Sequence, residues 1–168
     1  MKSATFFSTA SLSCMSRFSC MKQPNRPNLV FIFADQMRAQ ATGYAGDRNV
    51  KTPTLDKLAG ESINFSQAVS GNPVCSPYRA SLMTGQNALT HGVCFNDVVL
   101  GNESISFAEA YNQAGYHTGF IGKWHLDGPD RSAFIPRERR QGFQHWQAWE
   151  CTHNYNDSFY HEIGRAHV

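Results

Sequence analysis

Short apolar segments alternate along the chain with polar stretches punctuated by glycine, and the first clear pattern begins near Arg26. Asn28-Leu29-Val30-Phe31-Ile32-Phe33-Ala34 is a continuous apolar run ending in Asp35-Gln36. A run without alternation suits a strand buried on both faces, as in a parallel sheet covered by helices. Thr52-Pro53-Thr54-Leu55-Asp56-Lys57-Leu58-Ala59-Gly60 carries a cap, a proline in the first turn and a terminating glycine. It predicts a short helix. The segment from Ser62 to Val69 alternates polar and apolar residues and predicts a strand. A proline-initiated helix follows, from Cys75-Ser76-Pro77 to Gly85, with Ser76 as cap and Pro77 as first helical residue.

Further on, Ser106-Phe107-Ala108-Glu109 forms a capping box, and Phe107, Ala110, Tyr111 and Ala114 recur at helical spacing. Tyr116 to Gly122 predicts another strand, which delivers Lys123-Trp124-His125 at its end. From Arg131 to Tyr160 the chain is rich in Arg, Gln, Trp, His and Tyr, without a periodicity that assigns it. Alternating strands and helices predict an α/β fold with a mainly parallel sheet flanked by helices. In such sheets sites lie beyond the carboxyl ends of strands. Asp35 and Lys123 both follow predicted strands, so they are expected to share a site.

Composition narrows the function. A chain of 168 residues can hold one domain with a substantial core. Its net charge of +2 comes without a basic stripe or like-charge block, so neither nucleic acid nor a membrane surface is indicated as partner. Cys14, Cys20, Cys75, Cys94 and Cys151 are odd in number and widely spaced, which argues against a disulfide framework, and no Cys-x-x-Cys pair suggests zinc. Residues 1–25 read as an extension foreign to the fold. Phe6 to Met15 is too interrupted by Ser and Thr for a secretory segment and too short to span a bilayer. Upstream sequence ahead of a start at Met21 is preferred over a degenerate signal, leaving cytoplasm and periplasm both open. At the other end, residues 162–168 resemble the translation of a common short-read sequencing adapter and are set aside from function.

The chemistry centres on Cys75-Ser76-Pro77-Tyr78-Arg79, with Thr84-Gly85 beyond it. A side chain at the start of a helix meets the positive end of the helix dipole, which favours an anionic group. Arg79, one turn in, offers a planar fork of donors for an oxyanion. Lys123 and His125, two apart on a segment leaving a strand, project to one side when extended. A fixed cation there neutralises an oxyanion, and a histidine moves a proton near neutral pH. Asp35, a carboxylate at a strand end, suits a hard divalent cation, and the amide oxygen of Gln36 is a weaker donor beside it. Taken singly, these residues fit a buried cysteine, a strand-end cap, an exposed lysine and a core histidine as well. His91 after the signature helix, and Trp146, Trp149, His153 and Tyr155 later, are candidates for lining a pocket, with ordinary core or surface roles as the alternative.

Cys-x-Pro-x-Arg with Thr-Gly beyond it resembles the signature of the type I, formylglycine-dependent sulfatases, of the alkaline-phosphatase-like superfamily. Pro27 to Gln36 is similar to that family's opening strand and metal-binding end. Thr52 to Ala59 is similar to its first helix, and Gly122-Lys123-Trp124-His125-Leu126 to its second signature. The resemblance covers roughly Arg26 to Tyr160.

It implies a sulfuric ester hydrolase acting on aryl or carbohydrate sulfates. It further implies that a formylglycine-generating enzyme converts Cys75 to Cα-formylglycine and that a hydroxyl of the hydrated aldehyde attacks sulfur. The second hydroxyl then allows sulfate to be expelled. The resemblance makes Arg79 an oxyanion stabiliser and Lys123 a ligand of sulfate and of the hydrate. His125 becomes the group that helps deprotonate the second hydroxyl. It implies Ca2+, or another divalent cation such as Mg2+, held by Asp35, Gln36 and modified Cys75. The family often has a second Asp where this chain has Gln36. The family's downstream metal ligands and leaving-group acid have no counterpart here. Residues 26–161 are therefore expected to be the N-terminal part of a catalytic domain, incomplete at its C-terminus and inactive alone. The site residues are expected to converge on one cleft. Two alternatives stay open: a phosphoric or phosphonic ester hydrolase of the same superfamily, and a non-catalytic binding protein with unmodified Cys75.

Overall fold

The computed structural model describes residues 26–154, 156, 160–162 and 165–167. The chain divides into two units, Met1–Met37 and Arg38–Val168. In the described part of the first unit the predicted strand over 28–34 is not formed. Leu29, Val30, Phe31 and Ile32 are all exposed, Ile32 by 87%. A run that is apolar on both faces becomes a strand only between neighbours that supply hydrogen bonds and cover, and pattern alone cannot provide them.

In the second unit, α1 (Pro53–Glu61) forms as expected, although it passes through Gly60 and ends at Ser62, whose hydroxyl donates to the Leu58 carbonyl at 2.6 Å. Thr52 precedes it, and its hydroxyl donates to Asp56 at 2.8 Å and accepts from the Gly43 N–H at 2.7 Å. The predicted strand over 62–69 is absent, with Ile63, Phe65 and Val69 exposed. Its alternation is real, but no neighbouring strand in the described residues completes a ladder.

Helix α2 (Cys75–Thr84) starts two residues earlier than Pro77 suggested, with Val74 as N-cap. The first N–H groups of a helix have no partner within it, so a proline third in the helix costs no hydrogen bond. The helix closes on Gly85, in the left-handed conformation at φ 68°, with its N–H on the Ser81 carbonyl. After the single turn α3 (Ala88–His91), α4 (Phe107–Gln113) carries the predicted capping box, Ser106 with Glu109. The Ser106 hydroxyl also donates to the Gln141 carbonyl at 2.6 Å, so the cap ties α4 to the segment just before His145.

β1 (Gly119–Lys123) pairs in parallel with β2 (His145–Trp149). β3 (Tyr160–Glu162) and β4 (Arg165–His167) extend the sheet antiparallel, in the order β1-β2-β3-β4. The sheet of this partial α/β domain is thus mixed. Helix α4 lies between α2 and β1 in sequence, so the parallel β1–β2 pair is joined by the unpatterned stretch after Lys123 rather than by a regular crossover helix. The hairpin includes residues of the carboxyl-terminal heptapeptide, as backbone pairing needs no particular side chain.

On one face of the sheet Phe120, Trp124, Phe143 and Trp146 form an aromatic core, with the Phe120 and Trp146 rings stacked at 5.3 Å across the β1–β2 register. Buried Arg140 lies over Trp146 at 5.1 Å and Phe134 at 5.3 Å, while its Nε donates to the Ile135 carbonyl. That cation-π stacking turns an unpatterned segment into core. Ile121, between the inward residues of β1, is 73% exposed, so the other face of this strand is open. No helix among the described residues is long and apolar enough to cross a membrane.

Candidate active site

Cys75 is the first residue of α2 and half-buried, at the positive end of a ten-residue helix. One buried cation meets it from β1, and a second, from α2, braces the backbone of the first. The Lys123 ammonium donates to Cys75 Sγ at 3.6 Å, and Arg79 donates through Nη1 to the Lys123 carbonyl. Strand β1 ends at Lys123 and helix α2 places Arg79 one turn after Cys75, so the two signature segments meet through these bonds. Buried Cys151 also lies near Lys123: burial pushes its thiol up, and the Lys123 cation opposes the shift.

Ser76 does not cap its own helix. Its backbone N–H donates to Asn96 Oδ1 at 2.9 Å, and its hydroxyl accepts from the Asp97 N–H at 3.4 Å. The loop before β1 therefore supplies the helix with a cap that Ser76 was expected to provide. Asp97 in turn accepts from Arg131, through Nε at 2.9 Å and Nη2 at 2.7 Å, and contacts His125 Nε2 at 2.8 Å. The Arg131 fork, and His125 after it, hold the Asp97 carboxyl down at about 2. His125 is almost wholly buried. Its pKa is lowered, chiefly by burial and also by the Lys123 and Arg131 cations, while the Asp97 hydrogen bond opposes the shift.

Asp97 and His125 both occupy left-handed backbone, at φ 64° and 57°. Such a conformation costs a non-glycine residue about 1 kcal/mol or more, so surrounding bonds must over-determine it. One of these is made by Glu150, fully buried behind the segment after His125, whose Oε1 accepts from the Asp127 N–H at 2.7 Å. Burial pushes its carboxyl up to about 7 from 4.5. A carboxyl raised in the folded state contributes stability present below pH 4.5 and lost as pH rises through 7. Glu150→Gln keeps an acceptor for Asp127 and removes that loss. Thermal unfolding should show the variant gaining on the parent between pH 4.5 and 7, reaching on the order of 3 kcal/mol by pH 8. Parallel pH profiles for the two proteins would show that Glu150 does not titrate in this range.

Of the sequence candidates, Lys123 bonds Cys75 and Arg79 bonds Lys123, and His125 is linked to Ser76 through Asp97. Asp35 and Gln36 lie in the first unit, exposed. Among the described residues no three His, Cys, Asp or Glu gather as a metal ion needs. His91 is a structural link: its Nδ1 accepts from the Val93 N–H at 3.1 Å, so Nε2 carries the proton shared with Ser81 Oγ at 2.9 Å, tying α3 to α2. Trp146 belongs to the core, Trp149 is half-buried, His153 is exposed, and Tyr155 lies outside the described residues. Asn96, Asp97, Arg131 and Glu150 were not singled out by sequence. Asn-Asp in a glycine-flanked stretch reads as a turn, and only the contacts distinguish it.

A family model described as Sulfatase matches residues 27–163. Over 160 residues, 94% of this chain, the sequence is 50% identical to an ulvan-active sulfatase of Formosa agariphila, of which that stretch is 31%. Over 152 residues it is 30% identical to an N-acetylglucosamine-6-O-sulfatase of Bacteroides thetaiotaomicron, covering 88% of this chain and 25% of that protein. A sulfatase crystal structure from Bacteroides fragilis superposes with a TM-score of 0.77 at 38% identity, over 85% of this chain and 36% of that one. A structure in complex with its substrate D-glucosamine-2-N,6-O-disulfate gives 0.71 at 32% identity, over 85% and 28%. The chain thus spans about a third or less of the curated relatives it matches.

Proposed function

Because the chain belongs to the sulfatase family, we propose that it forms the nucleophile-bearing part of a sulfuric ester hydrolase acting on sulfated carbohydrate. The observation that carries the reading is the Lys123 ammonium on Cys75 at the positive end of α2, with Arg79 bonded to the Lys123 carbonyl. A tetrahedral oxyanion needs fixed positive charge around it and little water, and buried Lys123 at a helix start offers both. Carbohydrate is favoured over aryl sulfate because the ulvan-active relative is half identical to this chain.

In this reading a formylglycine-generating enzyme modifies Cys75, and the hydrated formylglycine supplies the nucleophilic hydroxyl together with a second one that allows sulfate to leave. The remaining steps fall to the chain's own residues. Lys123 holds the oxyanion against residue 75, Arg79 locks the Lys123 backbone to α2, and His125 moves the proton. Asp35 and Gln36 offer hard oxygen donors of the kind Ca2+ or Mg2+ takes, but two donors fall short of the six or more such a cation collects. The described residues do not complete a metal site, and no step here runs through the cation.

The test is sulfate release by the chain extended to the length of its relatives and co-expressed with a formylglycine-generating enzyme. Sulfated carbohydrate oligomers should be turned over, with matched aryl sulfate slower and aryl phosphate slower still. Intact mass of the peptide carrying Cys75 should show loss of the thiol. Preferential phosphate release, or a thiol that persists with no turnover, would defeat the reading.

A further inference from the structure

We infer that Asp97 is the residue that positions His125, fixing its ring as the Nε2–H tautomer and leaving Nδ1 as the proton-accepting nitrogen. The inference rests on the proposed sulfatase reading for its consequence in turnover, but not for its geometry.

The geometry is a chain of contacts with one chemical solution. Asp97 accepts two bonds from the Arg131 fork, at 2.9 and 2.7 Å, and lies 2.8 Å from His125 Nε2. A carboxylate engaged this way is ionised and can only accept, so the proton on the shared line belongs to Nε2. A neutral imidazole carries one proton, and Nδ1 then keeps its lone pair. His125 Nδ1 is buried and has no hydrogen-bond partner among the described residues. A buried ring nitrogen without a partner costs free energy in the resting protein. It is the arrangement expected where a proton is to be received.

Backbone conformation points the same way. Asp97 and His125 face each other across the hydrogen bond, both with left-handed φ. Asp97 is also anchored to the nucleophile's helix by its N–H on Ser76 Oγ at 3.4 Å, with Asn96 Oδ1 on the Ser76 N–H at 2.9 Å. The loop at 96–97 therefore fixes His125 and the start of α2 with one pair of residues. The charged groups that act on the ring are Asp97, Lys123 and Arg131. The two cations oppose a second proton, and Asp97 favours it. Removing the Asp97 charge should therefore make His125 harder to protonate as well as less well oriented.

The test needs a readout independent of turnover. In the 168-residue chain labelled with 15N-histidine, the His125 ring should show the Nε2–H tautomer at neutral pH. Asp97→Gly keeps the left-handed backbone accessible and removes the acceptor; it should lose the single tautomer. Asp97→Asn, which also tolerates this conformation, should retain the fold. In the extended, matured enzyme, both substitutions should lower kcat by about 10- to 100-fold with KM within about twofold. Adding either to His125→Ala should cost nothing further. An Nδ1–H tautomer in the parent, or unchanged kcat in Asp97→Gly, would overturn the inference while leaving sulfatase activity intact. Conversely, an Asp97-dependent Nε2–H tautomer in a protein that hydrolyses no sulfate ester would sustain the positioning role and defeat the proposed function.

Discussion

Replacing Cys75 by alanine is expected to remove turnover of sulfate esters, by at least about 10^4-fold in kcat, while leaving the fold in place. On the proposed reading the substitution deletes the atom on which the nucleophile is built. It does not trim a binding contribution that neighbouring groups could share. Its structural cost is small because Cys75 is half-buried at the start of α2, and its thiol meets Lys123 at 3.6 Å without entering the aromatic core. Stability should change by less than about 1 kcal/mol, as for substitutions outside a packed core. Cys75→Ser should be equally inactive in a host that oxidises only cysteine, because serine offers one hydroxyl and no route to expel sulfate. Turnover by the matured enzyme and an unfolding curve for each variant make the comparison. Near-normal rates in either variant would exclude the formylglycine mechanism.

The largest effect on stability is expected at Trp124. Its ring is fully buried, 5.1 Å from both Phe120 and Trp146, and 6.1 Å from Phe143. Its backbone N–H donates to the Trp149 carbonyl at 2.8 Å, just beyond the last paired residues of β1 and β2. Trp124→Ala leaves a cavity among three aromatic rings that cannot close it without shifting both strands. The expected cost is about 3–5 kcal/mol, a large part of the stability of a domain this size. Because Trp124 stands between Lys123 and His125, the variant should lose activity together with stability. Denaturant titration of the Trp124→Ala and parent proteins measures it, and a shift below about 1 kcal/mol would mean that the aromatic cluster is not the core.

Much of the helical structure was legible from sequence because its signals are local. The capping box Ser106 with Glu109, the helix at Pro53 and the proline-bearing helix at Cys75 each specify themselves within one or two turns. Lys123 and His125 were expected to project to one side of an extended segment, but β1 ends at Lys123, His125 takes a left-handed φ of 57°, and the two bond Cys75 and Asp97 respectively. The apolar runs at 28–34 and 62–69 were legible as strand-compatible, yet neither forms a strand in the described residues. Strand formation depends on a partner, and no local pattern carries that information.

What the sequence alone determined is therefore the family, the α/β class and a set of candidate side chains, Cys75, Arg79, Lys123 and His125. The family and the candidates rest on the resemblance of the motifs to the sulfatase signatures, and the class rests on the alternation of strands and helices. The tertiary structure decided which of these groups touch and what holds them. Arg79 reaches the Lys123 carbonyl across 44 positions, and Asp97 joins Arg131, His125 and Ser76 across 34, 28 and 21. Glu150 becomes a buried carboxyl raised to about 7 only because the segment after His125 folds over it. Charge, burial and hydrogen-bond partner are properties of the neighbours a residue acquires on folding, and for Asp97 and Glu150 those neighbours are distant in the chain.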